Sequence, residues 1–500
     1  MVMNQKQKRW IGKSVIAICL MGLVYCLFLS DSTEYEVPGL ETQFPEKSLE
    51  SEQPITVPED GDQDEIPFPK KDVASEPPIS EEEDRDRFKP PNKGKCNLFA
   101  GDWIPNTSGT IYNESCPSIE SPQNCMKNGR PDTGYLYWKW SPRDCSIPKF
   151  EPEKFLEMMR NKHWALIGDS ITRNHVQSLL CMLSTRGSAK FDWNTFLQVE
   201  QAIQVYHDKG YRSRRWHFPS YKFTISVIWS PFLVKAAIYE DQNGVSTHEV
   251  ELHLDKIDDE WIDQFQGFDY MIISTGKWFL KAAIYYQNNE ALGCHACSNG
   301  NLSELGFDFA YRRTLRHVMN TIVSSNHKGT IFFRTSTPDH FENGEWNTGG
   351  TCTKTTPVKE GKLELKEVHK ILREIELEEF EKAAAKASRN GVNLKLLDMV
   401  SLSLMRPDGH PGPYRQYHPF EHSKYAKVQT DCLHWCLPGP IDSWNDILME
   451  MVVQRIAYCK KKIHVVSTVI SNVRAHSSSA KALTWTAATT FPSSGFLRPI

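Results

Sequence analysis

The predicted fold is decided by residues 164–174, Trp-Ala-Leu-Ile-Gly-Asp-Ser-Ile-Thr-Arg-Asn. The first four residues form a short apolar run, which is typical of a buried strand. From Ile171 to Leu183 the apolar residues recur at helical spacing, at Val176, Leu179, Leu180 and Leu183. The Gly168-Asp169-Ser170 segment is therefore predicted to form the turn between a strand and a helix.

Outside this stretch, strand-length apolar runs alternate with longer helical patterns. We predict further strands over 223–229, 270–274, 330–334 and 394–398, and helices over 152–160, 304–324 and 360–388. This alternation predicts an α/β fold, a mostly parallel sheet flanked by helices. Residues 96–150 are rich in Cys, Trp, Pro and Gly and lack periodic runs, which predicts a disulfide-tied N-terminal subdomain.

Ser170 is a candidate nucleophile because of its place at the start of a helix. The free N–H groups of a first helical turn and the helix dipole can stabilise an oxyanion. Gly168 would let the backbone turn tightly and leave room for a substrate carbonyl. A purely structural interpretation stays open, since Ser and Asp are both favoured as helix N-caps. The motif is not Gly-x-Ser-x-Gly, because Thr172 occupies the position of the second glycine.

A nucleophilic serine needs a base, and His434 is the one histidine of 17 with an aspartate three residues before it. If the segment formed a helical turn, Asp431 would share a face with His434 and could fix its tautomer. Chance predicts about one such spacing in a chain of this composition. The pair therefore gains weight only from its context, in which Cys432 and Cys436 flank the histidine.

The charge of the chain is divided into zones. The net charge is -4, from 58 basic and 62 acidic residues, which argues against a basic nucleic-acid binder. Residues 1–13 are basic and precede an apolar segment over 14–30, predicted to be a signal anchor with a cytosolic N-terminus. A cleaved signal peptide is the alternative, although no small-x-small site follows. Residues 31–95 are acidic and proline-rich, which predicts a disordered stalk.

The cysteines agree with an oxidising compartment. Eleven of the 13 cysteines lie from Cys96 onwards and none lies in the stalk, which predicts disulfides. Zinc is an alternative for Cys294-His295-Ala296-Cys297, but no second ligand pair follows, and we predict no metal site. Three sequons support a lumenal domain, at Asn106, Asn113 and Asn301.

Taken together, these features resemble the plant trichome-birefringence-like family over residues 96–459. The matching segments include Cys96-Asn97-Leu98-Phe99, Tyr137-Trp138-Lys139-Trp140 and Gly349-Gly350-Thr351-Cys352. The resemblance implies a single-pass type II Golgi membrane protein with an SGNH/GDSL-esterase-like domain over 151–459. Members of this family O-acetylate cell-wall polysaccharides. Residues 460–500 depart from the family pattern and are predicted to be a disordered tail.

The resemblance also implies roles for individual residues. Ser170 would be the nucleophile, His434 the general base and Asp431 its orienting acid. Gly168 and Asp169 would complete the motif, with Gly276 and Asn174 as oxyanion candidates. His340 lies in a family segment, with a role in packing, acceptor binding or catalysis. The implied disulfides are Cys96–Cys145, Cys116–Cys181, Cys125–Cys436 and Cys352–Cys432, with Cys294 and Cys297 paired locally and Cys459 unpaired.

The implied reaction is acetyl transfer through an acetyl-serine. The segments 276–279, 293–297 and 406–414 resemble the subgroup of xyloglucan acetyltransferases. The reaction requires an acetyl donor, such as one derived from acetyl-CoA, and no bound cofactor. Trp278, Trp346 and Trp435 could offer stacking faces to sugars or could simply be packed. Mannan or xylan acetyltransferase, polysaccharide acetylesterase and a noncatalytic polysaccharide-binding protein are the alternatives.

Overall fold

The computed structural model describes residues 96–184, 201–240, 247–298 and 300–454. The predicted cytosolic N-terminus over 1–13, the anchor over 14–30, the stalk over 31–95 and the tail over 460–500 all lie outside the described residues. Within the described ranges, no helix combines the length and apolar character that crossing a membrane requires.

Among the described residues, seven strands form the central sheet, and β3 (His163–Gly168) lies in its middle. It pairs in parallel with β6 (Phe223–Trp229) on one side and with β9 (Tyr270–Ile273) on the other. Beyond β9 lie two more parallel strands, β12 (Thr330–Arg334) and β13 (Asn393–Leu397). Beyond β6 lie two antiparallel strands, β5 (Arg214–Phe218) and β4 (Ile203–His207). The predicted mostly parallel sheet is confirmed.

The two faces of this sheet bury separate cores, because successive side chains on a strand point to opposite faces. Trp164 and Leu166 pack on the side of α1 (Pro152–Met158), α2 (Ser170–Leu183), α6 (Val400–Leu404) and a helix over 441–454, named α7. Ala165 and Ile167 pack on the side of α3 (Asp259–Ile262), α4 (Gly306–Ser324) and α5 (Glu367–Asn390). Burying each large side chain stabilises the fold by about 1.5–3 kcal/mol.

A second sheet of four strands was not predicted. Its strands are β7 (Val234–Ala237), β8 (Val250–Ile257), β10 (Ala283–Gln287) and β11 (Glu290–His295), in the order β11-β10-β8-β7. Leu252 and Leu254 of β8 and Tyr285 of β10 contribute to the core beside α4, so this sheet extends the second core.

The N-terminal subdomain is built on a two-stranded ribbon, β1 (Gly101–Pro105) and β2 (Trp138–Pro142). The rings of Trp103 and Trp140 meet edge to face at 5.7 Å between centroids. The indole N–H of Trp103 donates to the carbonyl of Leu402 at 2.9 Å. The ribbon thus packs into the first core through its aromatic side chains.

Five disulfides link the described cysteines. Cys96–Cys145 closes the N-terminal subdomain, and Cys116–Cys181 and Cys125–Cys436 tie it to the α/β domain. Cys352–Cys432 closes the segment before His434, and Cys294–Cys297 is local, so this pair is not a zinc site. These pairings are the ones that the family resemblance implies. Cys459 lies outside the described residues, and among those described no group of three or more His, Cys, Asp or Glu side chains could hold a metal.

The disulfides should differ in their contribution to stability, because a cross-link constrains the unfolded chain more when it closes a longer loop. Cys125–Cys436 spans 311 residues and Cys294–Cys297 spans 3. We expect the double substitution Cys125→Ala and Cys436→Ala to lower the free energy of unfolding by about 2–5 kcal/mol. The matched control, Cys294→Ala with Cys297→Ala, should lower it by less. Denaturant unfolding of both variants measures the difference, and equal losses would contradict the expectation.

Candidate active site

Ser170 is the first residue of α2, directly after the carboxyl end of β3. Asp169 is the N-cap, and its side chain accepts a hydrogen bond from the N–H of Ile171 at 3.0 Å. Gly168 has φ +153°, and a Cβ there would lie 2.2 Å from the carbonyl oxygen of Ser274. Only glycine fits this turn. Asp169 is thus a structural cap, while Ser170 is left with its hydroxyl directed to another segment.

Asp431 and His434 lie in a loop rather than in the helical turn that their spacing suggested. One carboxylate oxygen of Asp431 accepts from the N–H groups of Leu433 at 3.1 Å and His434 at 2.9 Å. The other oxygen lies 2.9 Å from Nδ1 of His434. A carboxylate that accepts these two hydrogen bonds turns the backbone, so the imidazole of His434 lies against the carboxylate of Asp431.

The loop brings His434 to Ser170. Nε2 of His434 lies 2.7 Å from Oγ of Ser170, so serine, histidine and aspartate form a continuous hydrogen-bonded chain. Burial alone would raise the pKa of Asp431, but the charge and hydrogen bonds of His434 outweigh burial and hold that pKa well below its ordinary value. Asp431 is therefore ionised, and it can stabilise an imidazolium on His434.

Asn174, an oxyanion candidate from the sequence, binds the backbone next to His434. Its amide oxygen accepts from the N–H of Trp435 at 2.8 Å, and its amide NH₂ donates to the carbonyl of Trp435 at 3.2 Å. These two bonds use the amide oxygen and one of the two N–H groups of the buried side chain, so the role of Asn174 as an oxyanion donor stays a prediction. Asn174 clamps the loop that carries His434 onto α2.

Gly276 lies after the carboxyl end of β9, at the same edge of the sheet as Ser170. It has φ +154°, and a Cβ there would lie 2.6 Å from Oγ of Ser336. Ser274, two residues earlier, contacts Gly168 and donates its N–H to the carbonyl of Ile167 at 3.0 Å. The segment around Gly276 is thus held beside the β3–α2 turn.

Two sequence profiles match the chain. The GDSL/SGNH-like acyl-esterase family found in Pmr5 and Cas1p, named PC-esterase, matches residues 147–451. The PMR5 N-terminal domain matches residues 94–146. The chain belongs to the PC-esterase family. The resemblance found in the sequence is confirmed.

The PC-esterase relatives include proteins named for an activity. Protein trichome birefringence-like 23 of Arabidopsis thaliana is 57% identical over 362 residues, covering 72% of this chain and 81% of the relative. Xyloglucan O-acetyltransferase 1 of Populus trichocarpa is 43% identical over 364 residues, covering 71% of this chain and 81% of that relative. Xyloglucan O-acetyltransferase 1 of Arabidopsis thaliana is 42% identical over 359 residues, covering 71% of this chain and 80% of that relative.

Sequence reasoning missed Arg334, which connects the elements around this PC-esterase site. Its guanidinium is buried at the end of β12 and donates to Oγ1 of Thr172 at 3.1 Å and to Oγ of Ser274 at 3.0 Å. It also contacts Nδ1 of His175 at 3.1 Å. Burial lowers the pKa of Arg334 to about 10. A charged residue directly after three apolar strand residues, Ile331 to Phe333, was the available signal.

The three tryptophans named from the sequence differ in exposure. Trp346 is 53% exposed, whereas Trp435 is fully buried and cannot offer a face to a sugar. Trp278 is half-buried against Trp229, with their ring centroids at 5.3 Å. Of the sequon asparagines, Asn113 and Asn301 are exposed and Asn106 is half-buried.

The turn at Gly168 gives a test of the site that needs no substrate. In Gly168→Ala the new methyl group would clash with the carbonyl oxygen of Ser274. β3 and α2 must then shift, which moves Ser170 away from His434. We expect the rate at which a serine-reactive fluorophosphonate labels Ser170 to fall about 100-fold, because a displacement of about 1 Å at a reacting group can cost that much in rate. Gly267→Ala is the control, since a Cβ there meets nothing within 4 Å. Equal labelling of the two variants would contradict this account.

Proposed function

We propose that this chain is an O-acetyltransferase of cell-wall polysaccharides, with xyloglucan as its acceptor. The 2.7 Å contact between Nε2 of His434 and Oγ of Ser170, backed by Asp431, carries the proposal. Two relatives above 40% identity are named xyloglucan O-acetyltransferases, which supports both the reaction and the acceptor.

The first half of the reaction forms an acetyl-serine. Oγ of Ser170 attacks the acetyl carbonyl of the donor while Nε2 of His434 takes the hydroxyl proton. The N–H of Ser170, at the start of α2, and the N–H of Gly276 are the proposed donors to the oxyanion. The tetrahedral intermediate then collapses, the bond to the leaving group breaks, and His434 returns the proton to that group.

The second half transfers the acetyl group to the sugar. His434 takes the proton of an acceptor hydroxyl, whose oxygen attacks the acetyl carbonyl of the acyl-enzyme. Collapse of this second intermediate breaks the bond to Oγ of Ser170, which regains its proton from His434. Throughout, ionised Asp431 stabilises the imidazolium form of His434. The acetyl donor is a co-substrate, an activated acetyl ester or thioester, and these steps need no bound cofactor.

We propose a Golgi location for the enzyme, with the domain in the lumen and the segment over 14–30 as its membrane anchor. The support is the basic flank before the apolar segment, together with the sequons and the five disulfides. Disulfides of this number are expected in an oxidising lumen.

Acetyl transfer by the full-length chain in detergent tests the proposal. With xyloglucan and mannan oligosaccharides as parallel acceptors and acetyl-CoA and p-nitrophenyl acetate as donors, we expect acetylated xyloglucan. Ser170→Ala should abolish transfer and keep the unfolding temperature. Mass spectrometry of the wild type, quenched without acceptor, should find one acetyl group on the peptide containing Ser170.

Each other outcome of this assay has a meaning. Transfer retained in Ser170→Ala would refute the acetyl-serine mechanism. Transfer to mannan in preference to xyloglucan would refute the acceptor assignment. Release of free acetate without transfer, at saturating acceptor, would identify a polysaccharide acetylesterase.

Asp431→Asn tests the orienting role of the carboxylate. The amide would present its NH₂ to Nδ1 of His434 or favour the wrong tautomer, so we expect kcat to fall about 10⁴-fold. Asp263→Asn, at an exposed position, is the control and should keep full activity. An unchanged kcat in Asp431→Asn would exclude a triad.

The lowered pKa of Asp431 also predicts how the stability of the folded protein depends on pH. Folding lowers the pKa of Asp431, so its carboxylate stabilises the folded chain above the ordinary value of about 3.9, and this contribution is lost as pH falls towards the folded value. The stability advantage of the wild type over Asp431→Asn should therefore shrink below about pH 4. Denaturant unfolding at several pH values measures it, and an advantage that grows on acidification would contradict the assignment.

A further inference from the structure

Two buried histidines form a chain of contacts that ends on the backbone of His434. Nδ1 of His340 lies 2.6 Å from Nε2 of His410. At one end, Nε2 of His340 lies 3.0 Å from the carbonyl oxygen of Leu404. At the other end, Nδ1 of His410 lies 2.7 Å from the carbonyl oxygen of His434. Both side chains are more than nine-tenths buried.

The number of protons that the two imidazole rings carry follows from the donors and acceptors in these three contacts. A carbonyl oxygen only accepts, so Nε2 of His340 and Nδ1 of His410 must each carry a proton. If both rings were neutral, the two nitrogens that face each other at 2.6 Å would be bare lone pairs. Three contacts require three protons, and two neutral imidazoles carry only two. One additional proton between the rings satisfies all three contacts.

Other arrangements of the rings do not remove the conflict. A change of tautomer in either neutral ring moves the lone-pair contact to the carbonyl of Leu404 or of His434. Turning either ring by 180° about its χ2 bond places a carbon atom at 2.6 Å from a nitrogen, well inside van der Waals contact. The short N–N distance thus favours a single N–H···N bond.

The surroundings of the pair include groups of both signs. On the side of His340 they are Asp339, Lys277 and His369; on the side of His410 they are Asp431, His434 and Arg130. Lys277 and Asp339 form an ion pair of 2.5 Å, which largely neutralises both. The ring of Trp435 lies 4.3 Å from that of His410 between centroids, tilted by 32°, and an aromatic face attracts a cation.

Burial lowers the pKa of His340 and of His410, so it opposes any proton added to the pair, and it opposes two added protons most strongly. The charges of Asp431 and Asp339 act in the opposite direction and raise the pKa of His410. One shared proton is the state in which no lone pairs oppose each other and only one positive charge is buried.

We propose that His340 and His410 share one proton and are positioning residues, which hold the carbonyl of His434 and thereby its imidazole against Ser170. This role rests on the proposed acetyl transfer, but the shared proton does not. Loss of that proton at alkaline pH restores the lone-pair repulsion, pushes the rings apart and loosens the hold on His434.

The shared proton can be detected without any substrate. In ¹H–¹⁵N NMR of the full-length chain labelled at histidine, we expect at pH 7 a strongly deshielded proton coupled to two imidazole nitrogens. It should be absent in His340→Gln and in His410→Asn, and present in His248→Gln, which removes an exposed imidazole. It should also survive in Ser170→Ala, where transfer is lost. Two neutral rings in the wild type at pH 7 would refute proton sharing.

Kinetics test the positioning role. His410→Phe removes the donor to the His434 carbonyl, and we expect kcat to fall about 10- to 100-fold with little change in KM. His410→Asn places an amide NH₂ near the position of Nδ1 and should recover part of kcat. The wild type should lose kcat at the alkaline pH where the NMR signal disappears, and His410→Asn should lack this alkaline limb. A folded His410→Phe with wild-type kcat would refute the positioning role.

Discussion

The close approach of β3 and β9 at Gly168 is the constraint on which the site depends. Gly168 brings the β3 backbone so near the carbonyl of Ser274 that no side chain fits between them. This contact fixes where β3 ends and α2 begins, and so where the hydroxyl of Ser170 points. It also holds Gly276 at the same sheet edge, since Ser274 is two residues away. Arg334 reinforces the arrangement by binding both sides of it.

Bringing His434 to Ser170 closes a loop of 264 residues, which costs conformational entropy. Several independent contacts offset this cost around the histidine. Cys352–Cys432 and Cys125–Cys436 fix the backbone on either side, Asn174 binds Trp435 through both amide atoms, and His410 contacts the carbonyl of His434. The imidazole is thus oriented by its neighbours as well as by Asp431, which is the preorganisation that proton transfer needs.

The amino-acid sequence predicted the elements whose signal is local. The strand before Ser170, the helix after it and the parallel neighbours follow from apolar runs, and β12 and β6 have the predicted bounds. The four-stranded sheet was missed although residues 250–255 of β8 alternate apolar and polar residues, because the pairing of β8 with β10 depends on a distant segment. Local spacing was also misleading, because Asp431 and His434 lie in a loop rather than in a helical turn. Contacts such as those of Arg334 arise from tertiary packing, which no local pattern encodes.

The disulfide between Cys125 and Cys436 has a consequence for the order in which the enzyme is assembled. Cys125 leaves the ribosome 311 residues before its partner, so this disulfide cannot form until the segment with His434 has been made, whereas Cys116–Cys181 can form earlier. Ser170 is therefore present in the nascent chain long before His434. A chain interrupted before Asp431 carries Ser170 without the imidazole that lies 2.7 Å from its hydroxyl oxygen in the folded protein. The disulfide and the contact between Ser170 and His434 therefore both depend on the same late segment of the chain.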